Sequence, residues 1–271
     1  MSATIIQRSA DAFTDANLAK LYADPILNKG SMYLFDFVNP IGNPNPDGAL
    51  GAGATFKNFV DGGADAVYVP ATGGNSATIG ISNAANKAGI VSTGQTGNIA
   101  TPPTITLGNP TAAIGADEAL MILWLKTNGN AFQGGSFLID GFDIAPAAGQ
   151  IYWAYSIYEA VNAQSLQAGT RISGAGIVGP TIVANKPGVV RQIAMSVSAG
   201  TIKIYENGAL VGTQSGGANP IPATGVAPRL LMAGAGTFYR AYMERLTLSG
   251  RSALAAVQAD YALNSARFAN L

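Results

Sequence analysis

The chain has 271 residues, and only 11 % of them are charged, which is less than half the usual share of about 25 %. The 15 basic and 15 acidic residues cancel, which argues against nucleic-acid binding because phosphates require a basic surface. Cys and His are both absent, so disulfides, thiolate nucleophiles, Cys-ligated zinc and a Ser-His-Asp triad are excluded. Because chains with few charges and no net charge tend to self-associate, we expect copies or partners to cover much of the surface.

Residues 1–30 predict a distinct N-terminal arm. Thr14 can cap a short helix with Asp15 in its first turn, and Pro25 ends it, since the residue before a proline avoids the helical region. So short a helix is stable only when packed, so it either lies on its own domain or anchors the protein to a neighbour. The opening has no charged segment followed by an apolar stretch, and no apolar run approaches 18 residues, so we expect no signal peptide and no membrane insertion.

Short apolar runs between Gly and Pro residues predict an all-β fold over about residues 31–248. The run Leu120–Lys126 has strand length and no polar alternation, which indicates a strand buried on both faces. Residues 252–264 have high helix propensity and begin at Ser252, a good helix cap. The other strands are predicted at residues 31–38, 56–60, 66–69, 78–82, 89–92, 137–139, 151–161, 189–197, 229–233 and 238–248.

Residues 201–211 predict a β-hairpin. Thr201, Lys203 and Tyr205 alternate with apolar residues, which is typical of a strand with one solvent-facing side. Asn207-Gly208 suits a type I′ turn because both central residues need φ > 0, and Ala209 begins the return strand.

The order of elements over residues 118–264 resembles the laminin-G/concanavalin A-like family. The resemblance rests on Leu123-Trp124-Leu125, the strand 192–197, the Asn207-Gly208 hairpin, and the strand 242–249 followed by a helix. It implies a jelly-roll β-sandwich. Arg191-Gln192 stands where the family often has His. The resemblance thus predicts a concanavalin A-like sandwich over residues 31–271 that ends in a short C-terminal helix.

Calcium and glycosidase sites of this superfamily have no local motif here. Lectin-type members bind calcium through clustered Asp and Asn residues, whereas this chain offers Asp140 and Asp143 close together and Asp36 and Asp47 far upstream, without the Asp-x-Asp-x-Asp spacing. A glycosidase needs two carboxylates about 5–10 Å apart. The four glutamates are all separated in the sequence, at Glu118, Glu159, Glu206 and Glu244.

Glycines and aromatic residues supply the other candidate sites. Gly51-Ala52-Gly53 and the G-x-G-x-x-G match at residues 174–179 are interpreted as turns, because Pro180 and a strand pattern follow the second one where a nucleotide loop needs a helix. A sugar-stacking platform is the alternative to core packing for the aromatic residues of strand 151–161. Strict alternation puts Tyr152 and Tyr158 on one face, and Trp153 and Tyr155 on the other. Tyr239, Arg240 and Tyr242 carry the same two interpretations.

These features predict a non-enzymatic virion structural protein of a tailed bacteriophage, as a capsid-decorating, tail or baseplate component located in the virion. The low charge, the missing His and Cys, and the arm ahead of a sandwich favour it, and residues 13–27 resemble phage particle proteins. The expected partners are other virion proteins and copies of the chain. The alternative is a carbohydrate-binding adhesin or receptor-binding module for cell-surface glycan. No catalytic, cofactor-binding or metal-ligating residue is assigned, and no cofactor is expected.

Overall fold

A computed structural model of the chain describes residues 24–72, 79–81, 89–94, 103–108, 118–127, 136–142, 151–159, 165–172, 177–178, 181–184, 186–198, 201–215, 229–231, 235–269 and 271. The predicted N-terminal helix lies outside these residues. The last seven residues of the predicted arm, from Asp24 to Gly30, are described and contact the sandwich, with Ile26 buried.

The described residues form eighteen strands and two helices. In chain order they are β1 Ser31–Asp36, β2 Gly48–Ala49, β3 Thr55–Phe56, β4 Ala66–Val69, β5 Ile79–Ile81, β6 Ile90–Thr93, β7 Thr104–Thr106, β8 Ala119–Thr127, β9 Ser136–Phe142, β10 Ile151–Glu159, β11 Ser165–Ile172, β12 Ile177–Val178, β13 Thr181–Ala184, β14 Val190–Ser198, β15 Thr201–Glu206, β16 Ala209–Ser215, β17 Arg229–Leu231, β18 Ala235–Arg245, α1 Leu246–Ser249 and α2 Ala253–Phe268.

The strands form two nine-stranded antiparallel sheets, which confirms the predicted all-β sandwich of jelly-roll type. Sheet A has the order β16-β15-β14-β8-β18-β6-β5-β2, and β1 pairs with the second half of β18. Sheet B has the order β12-β11-β10-β9-β17-β7-β4-β3, with β13 added to β11. Strands from distant parts of the chain are therefore neighbours in both sheets.

The main hydrophobic core lies between the two sheets. From sheet A it takes every second residue of β8, namely Ala119, Met121, Leu123 and Leu125. From sheet B it takes Phe56, Tyr68, Ile105 and Leu230 among others. Rings of β1 and the loop after it continue this core, with Tyr33 and Phe35 stacked at 5.5 Å between ring centroids.

The outer face of sheet A is also buried, because α2 and residues 24–30 lie over it. The intervening residues of β8, Leu120, Ile122 and Trp124, join a second cluster with Val257 and Phe268 of α2. The prediction that β8 is buried on both faces is confirmed. The predicted solvent-facing side of β15 is wrong at Tyr205, which is only 2 % exposed, because this second cluster covers it.

Several boundaries differ from the predictions. Residues 246–248 were predicted as the end of a strand, but β18 ends at Arg245 and α1 follows as a single turn, closed at Gly250 with φ 79°. The strands β2, β7, β11 and β12 were not predicted. The Asn207-Gly208 hairpin is confirmed, with φ 49° and 82° at its two central residues. The C-terminal helix is also confirmed, and the Ser252 side chain caps it by accepting a hydrogen bond from the Ala255 N–H.

A strand follows the G-x-G-x-x-G match as predicted, namely β13, whereas β12 lies inside the match, where a turn was predicted. Neither helix in the described part of the chain is long and apolar enough to cross a membrane.

Candidate functional site

A buried carboxylate joins α2 to the outer face of sheet A. Asp260 is fully buried and lies among the apolar residues of α2 that face the sheet. One of its oxygens accepts hydrogen bonds from the indole N–H of Trp124 at 2.6 Å and from the Gln192 side chain at 2.8 Å. Its other oxygen accepts from Arg240 at 3.1 Å and from Asn264 at 3.0 Å. Asp260 thereby fixes the positions of three sheet residues against the helix.

A β-bulge in β18 brings two consecutive large side chains to this face. The pairing with β8 shifts so that Phe238 lies opposite Leu125 while Arg240 lies opposite Trp124. Tyr239 is therefore the extra residue, and both Tyr239 and Arg240 lie on the α2 side. A bulge re-aims side chains in this way because two residues then oppose one.

Arg240 is the centre of a buried charge network. Its guanidinium donates to Asp24 at 2.7 Å and lies 3.6 Å from Asp36, in addition to the contact with Asp260. Burial alone would lower the pKa of Arg240, but Asp260, Asp24 and Asp36 raise it above its ordinary value. Asp36 also accepts two hydrogen bonds from Arg267 of α2. Residue 24, strand β1, strand β18 and α2 are thus held by one set of charges.

A second polar cluster holds residues 26–31 to the end of β18. The Glu244 carboxylate is fully buried and forms an ion pair with the Arg251 guanidinium, with a nitrogen–oxygen distance of 2.5 Å. The Tyr242 hydroxyl donates to Glu244 at 2.9 Å and lies 2.9 Å from the Ser31 hydroxyl. Burial raises the pKa of Tyr242 above its ordinary value.

The Asn207-Gly208 turn is held against β14 by Gln192. The Gln192 backbone N–H donates to the Asn207 side-chain oxygen at 2.9 Å, and its side-chain oxygen accepts from the Gly208 N–H at 2.9 Å. A Cβ on Gly208 would lie 3.2 Å from the ring of Tyr261, so glycine allows the turn and the helix to approach closely. This contact sets the position of Tyr261.

A recess of about 130 Å³ opens where this turn meets the last two turns of α2. We call it the helix recess. Its lining includes Trp124, Val190, Asn207, Tyr261, Ser265 and Phe268.

Aromatic rings form much of the helix recess. The rings of Trp124 and Tyr261 are parallel, with centroids 5.8 Å apart, and Phe268 meets Trp124 at 5.0 Å and 62°. Trp124 and Phe268 are almost completely buried, whereas Tyr261 is partly exposed. The two buried rings therefore support the helix recess from behind, and Tyr261 is the ring that a ligand can reach.

The rim of the helix recess carries polar groups that the described part of the protein leaves unused. The Asn207 side-chain N–H₂, the Tyr261 hydroxyl and the Ser265 hydroxyl make no hydrogen bond to any described residue, although the Asn207 oxygen is bound by Gln192. Ligand sites combine apolar and aromatic lining with a few polar groups, and the helix recess has this combination on a smaller scale.

The structure brings some of the sequence-predicted candidates together and separates others. Arg240 and Tyr242 serve the buried polar clusters, and Tyr239 stacks on Phe268 at 5.8 Å. The side chains of Tyr152, Trp153, Tyr155 and Tyr158 lie outside the described part of the protein. The backbone of β10 changes register against both neighbouring strands between Trp153 and Ser156.

The candidate carboxylates are placed far apart or are already engaged. Asp36 is bound by Arg267, and Glu244 by Arg251. Glu206 lies 3.4 Å from both Lys186 and Arg191. Asp47 is exposed, and the side chains of Asp140, Asp143 and Glu159 are outside the described residues. Within the described residues no group of three or more acidic side chains forms a metal cluster.

The sequence interpretation missed the helix recess and the charges beneath it. One signal was present in the helix. Its buried positions are Ala253, Ala256, Val257, Asp260, Asn264 and Phe268, so an acid and an amide occupy the middle of an apolar stripe. Buried polar groups need partners, and such a stripe therefore predicts polar groups on the surface that the helix covers.

No protein-family model and no curated protein sequence matches the chain, while many solved structures do. Trypanosoma rangeli sialidase matches with a TM-score of 0.55 and 10 % identity over 91 % of this chain and 34 % of the sialidase. The receptor binding domain of botulinum neurotoxin D matches with a TM-score of 0.56 and 9 % identity over 87 % of this chain and 53 % of that domain.

Domain 4 of AbnA, an extracellular arabinanase from Geobacillus stearothermophilus solved in complex with arabinotriose, matches with a TM-score of 0.51 and 12 % identity over 86 % of this chain and 98 % of that domain. The chain thus spans about a third of the sialidase and nearly all of the arabinanase domain. At such low identity the likeness shows the fold alone, which is the jelly-roll-like β-sandwich.

Proposed function

We propose that this chain is a non-enzymatic recognition module that binds carbohydrate. The observation that carries the proposal is the helix recess, where the partly exposed ring of Tyr261, stacked on the buried Trp124, lies beside polar groups that no described residue uses. Sugars present apolar C–H faces and hydroxyl groups together, so they fit a site with aromatic rings and a few hydrogen-bonding groups. The arabinotriose complex and the receptor binding domain among the similar folds agree with this function, but fold analogy is only an association.

The engagement of the buried acids supports a role without catalysis. Asp260 accepts four hydrogen bonds beneath the helix recess, and Asp36 and Glu244 are each bound by arginine. A general acid or nucleophile needs a carboxylate that can reach the substrate. The chain also has no His or Cys to take these roles.

A glycan array probed with the full chain tests carbohydrate binding. The array includes neutral and acidic glycans and is run once with calcium and once with a chelator. We expect saturable binding to a subset of the glycans, with little effect of the chelator. Absence of binding to every glycan under both conditions would overturn the proposal.

A second proposed role, compatible with the first, is that of a structural component of a tailed-bacteriophage virion, in head decoration, tail or baseplate. It is favoured by the low charge of 11 % together with exposed apolar residues on sheet surfaces, Val67 and Val69 on β4 and Leu210 and Val211 on β16. Few charges would have to lose water when neighbours cover such a surface.

Immunogold electron microscopy on lysates of the source organism tests the virion role, with antibody raised against the purified chain. Label on heads or on tails would support it and would give the location. Particles without label would contradict it. Sizing of the purified chain gives a further check, because a decoration role predicts a closed ring such as a trimer.

A further inference from the structure

The lining of the helix recess carries polar side chains from two separate elements. Asn207 comes from the β15–β16 turn, and Tyr261 and Ser265 come from α2 one helical turn apart. Together they offer one amide donor and two hydroxyls that can donate or accept. A ligand that uses all three must carry several hydroxyl or similar groups on one small frame.

The electrostatics of the helix recess disfavour an anion. None of its lining residues is charged, and Ser265 and Phe268 belong to the C-terminal end of α2, where helix carbonyls give a partial negative charge. The nearby cations are already engaged, since Arg267 is bound by Asp36 and Lys126, opposite the lining residue Val190, donates to the Leu271 oxygen at 2.6 Å. A carboxylate ligand would thus find hydrogen-bond donors but no free counter-charge, next to a negative helix end.

The size of the helix recess limits the ligand to one ring. Its volume of about 130 Å³ lies below the range of about 300–1,000 Å³ of pockets that enclose a whole drug-sized ligand. An oligosaccharide would extend past the opening, so only one of its units would be enclosed.

We propose that the helix recess binds a single uncharged sugar ring through its hydroxyl groups and discriminates against acidic sugars. This inference rests on the proposed carbohydrate-binding function and adds the site and the class of sugar. The apolar face of the sugar meets the exposed part of the Tyr261 ring, and its hydroxyls exchange hydrogen bonds with Asn207, Tyr261 and Ser265.

Three conservative substitutions in the full chain test the site. Tyr261→Phe removes one hydroxyl and keeps the ring, Ser265→Ala removes another, and Asn207→Asp removes the amide donor while keeping the oxygen that Gln192 binds. Aspartate also tolerates the left-handed turn conformation. Gln258→Ala, an exposed polar-to-alanine change on the same helix, is the matched control.

The probes are methyl glycosides of glucose, galactose, mannose and arabinose, compared with glucuronic and sialic acids, in NMR titrations. The chain has two Trp residues, so the indole N–H signals of Trp124 and Trp153 report on the helix recess and on a distant strand. We expect a neutral glycoside to shift the Trp124 signal selectively. Each substitution should weaken binding by about threefold to tenfold, as expected for one lost hydrogen bond, and the control should not.

Each other outcome overturns a defined part of the argument. If the array shows glycan binding but the three variants bind like the control, the helix recess is not the site and the proposed function stands. If an acidic sugar shifts the Trp124 signal at lower concentration than any neutral one, the sugar class is wrong. If no glycan binds in either experiment, the proposed function fails as well.

Discussion

The two faces of sheet A are buried by different means. The inner face meets sheet B through apolar side chains, and the clearest polar exception there is the Tyr33 hydroxyl, which is buried without a hydrogen bond. The outer face meets α2 through apolar residues arranged around Asp260, Arg240 and Gln192. The first face supplies mainly non-directional burial energy, whereas the second fixes α2 at one position. A site that needs defined geometry, such as the helix recess, lies beside the second face.

The largest expected effect follows from removing Asp260. Asp260→Ala leaves Arg240 with fewer partners and strands the donors of Trp124 and Gln192, so we expect the free energy of unfolding to fall by about 3–5 kcal/mol. Urea unfolding followed by tryptophan fluorescence measures it, with Gln258→Ala as the surface control. A loss below about 1 kcal/mol, the net value of a typical single hydrogen bond, would show that these polar contacts do not hold the helix.

A cavity in the apolar inner face of sheet A should lower the free energy of unfolding. Leu123→Ala removes a fully buried side chain between the sheets, and we expect a loss of about 3 kcal/mol in the free energy of unfolding. The comparison sharpens if Leu123→Ile, which keeps the volume, loses less than about 1.5 kcal/mol. Glycan binding should survive Leu123→Ala at temperatures where the variant stays folded, because the substituted side chain points away from α2. Loss of binding in the folded variant would contradict the independence of the two faces.

Removing a tyrosine hydroxyl should change the free energy of unfolding in opposite directions on the two faces of sheet A. Tyr242→Phe removes a hydroxyl that is within hydrogen-bonding distance of Glu244 and Ser31, so we expect the free energy of unfolding to fall by about 1–2 kcal/mol. Tyr33→Phe removes a buried hydroxyl without a partner, so we expect a gain of about 1 kcal/mol. Thermal and urea unfolding of both variants under one buffer condition measure the difference. If both substitutions changed the free energy of unfolding in the same direction, the polar groups of the outer face would be no better hydrogen-bonded than those of the inner face.

The smallest expected effect is a decline of the free energy of unfolding at alkaline pH. Burial raises the pKa of Tyr33 above its ordinary value of 10.0. The unfolded state thus releases this proton first, and the stabilising contribution is complete below about pH 10 and declines as the pH rises further. Unfolding measured at pH 8 to 11 should show this decline, and Tyr33→Phe should reduce its slope. An unchanged slope in the variant would assign the decline to other groups.

The parts of the fold that local patterns encode were predictable. The uninterrupted apolar run of β8, the Asn207-Gly208 turn and the Ser252 cap each follow from neighbouring residues, and each is confirmed. The weakly patterned β7 and β11 gave no such signal. The boundary after Arg245 was missed because Leu246 to Leu248 continue an apolar pattern, while the turn at Gly250 decides the geometry.

The candidate site was not predictable in this way, because its partners are far apart in the sequence. Arg240 and Asp24 are separated by 216 positions, and Trp124 and Asp260 by 136. Polar residues that alternate with apolar ones in β14 and β15 indicate a solvent-facing side when taken locally. Only the packing of α2 converts Gln192 and Tyr205 into buried residues.

The ion pair at Asp24 has a mechanical consequence. Asp24 is bound to Arg240 in the centre of sheet A, and β1 begins seven residues later and runs antiparallel along β18. Tension applied to the chain ahead of residue 24 would first load this ion pair and the contacts of residues 26–31. It would then load the β1–β18 ladder along its length, where several hydrogen bonds must break together. The ion pair and the β1–β18 ladder would therefore oppose, one after the other, a pull on the chain at Asp24.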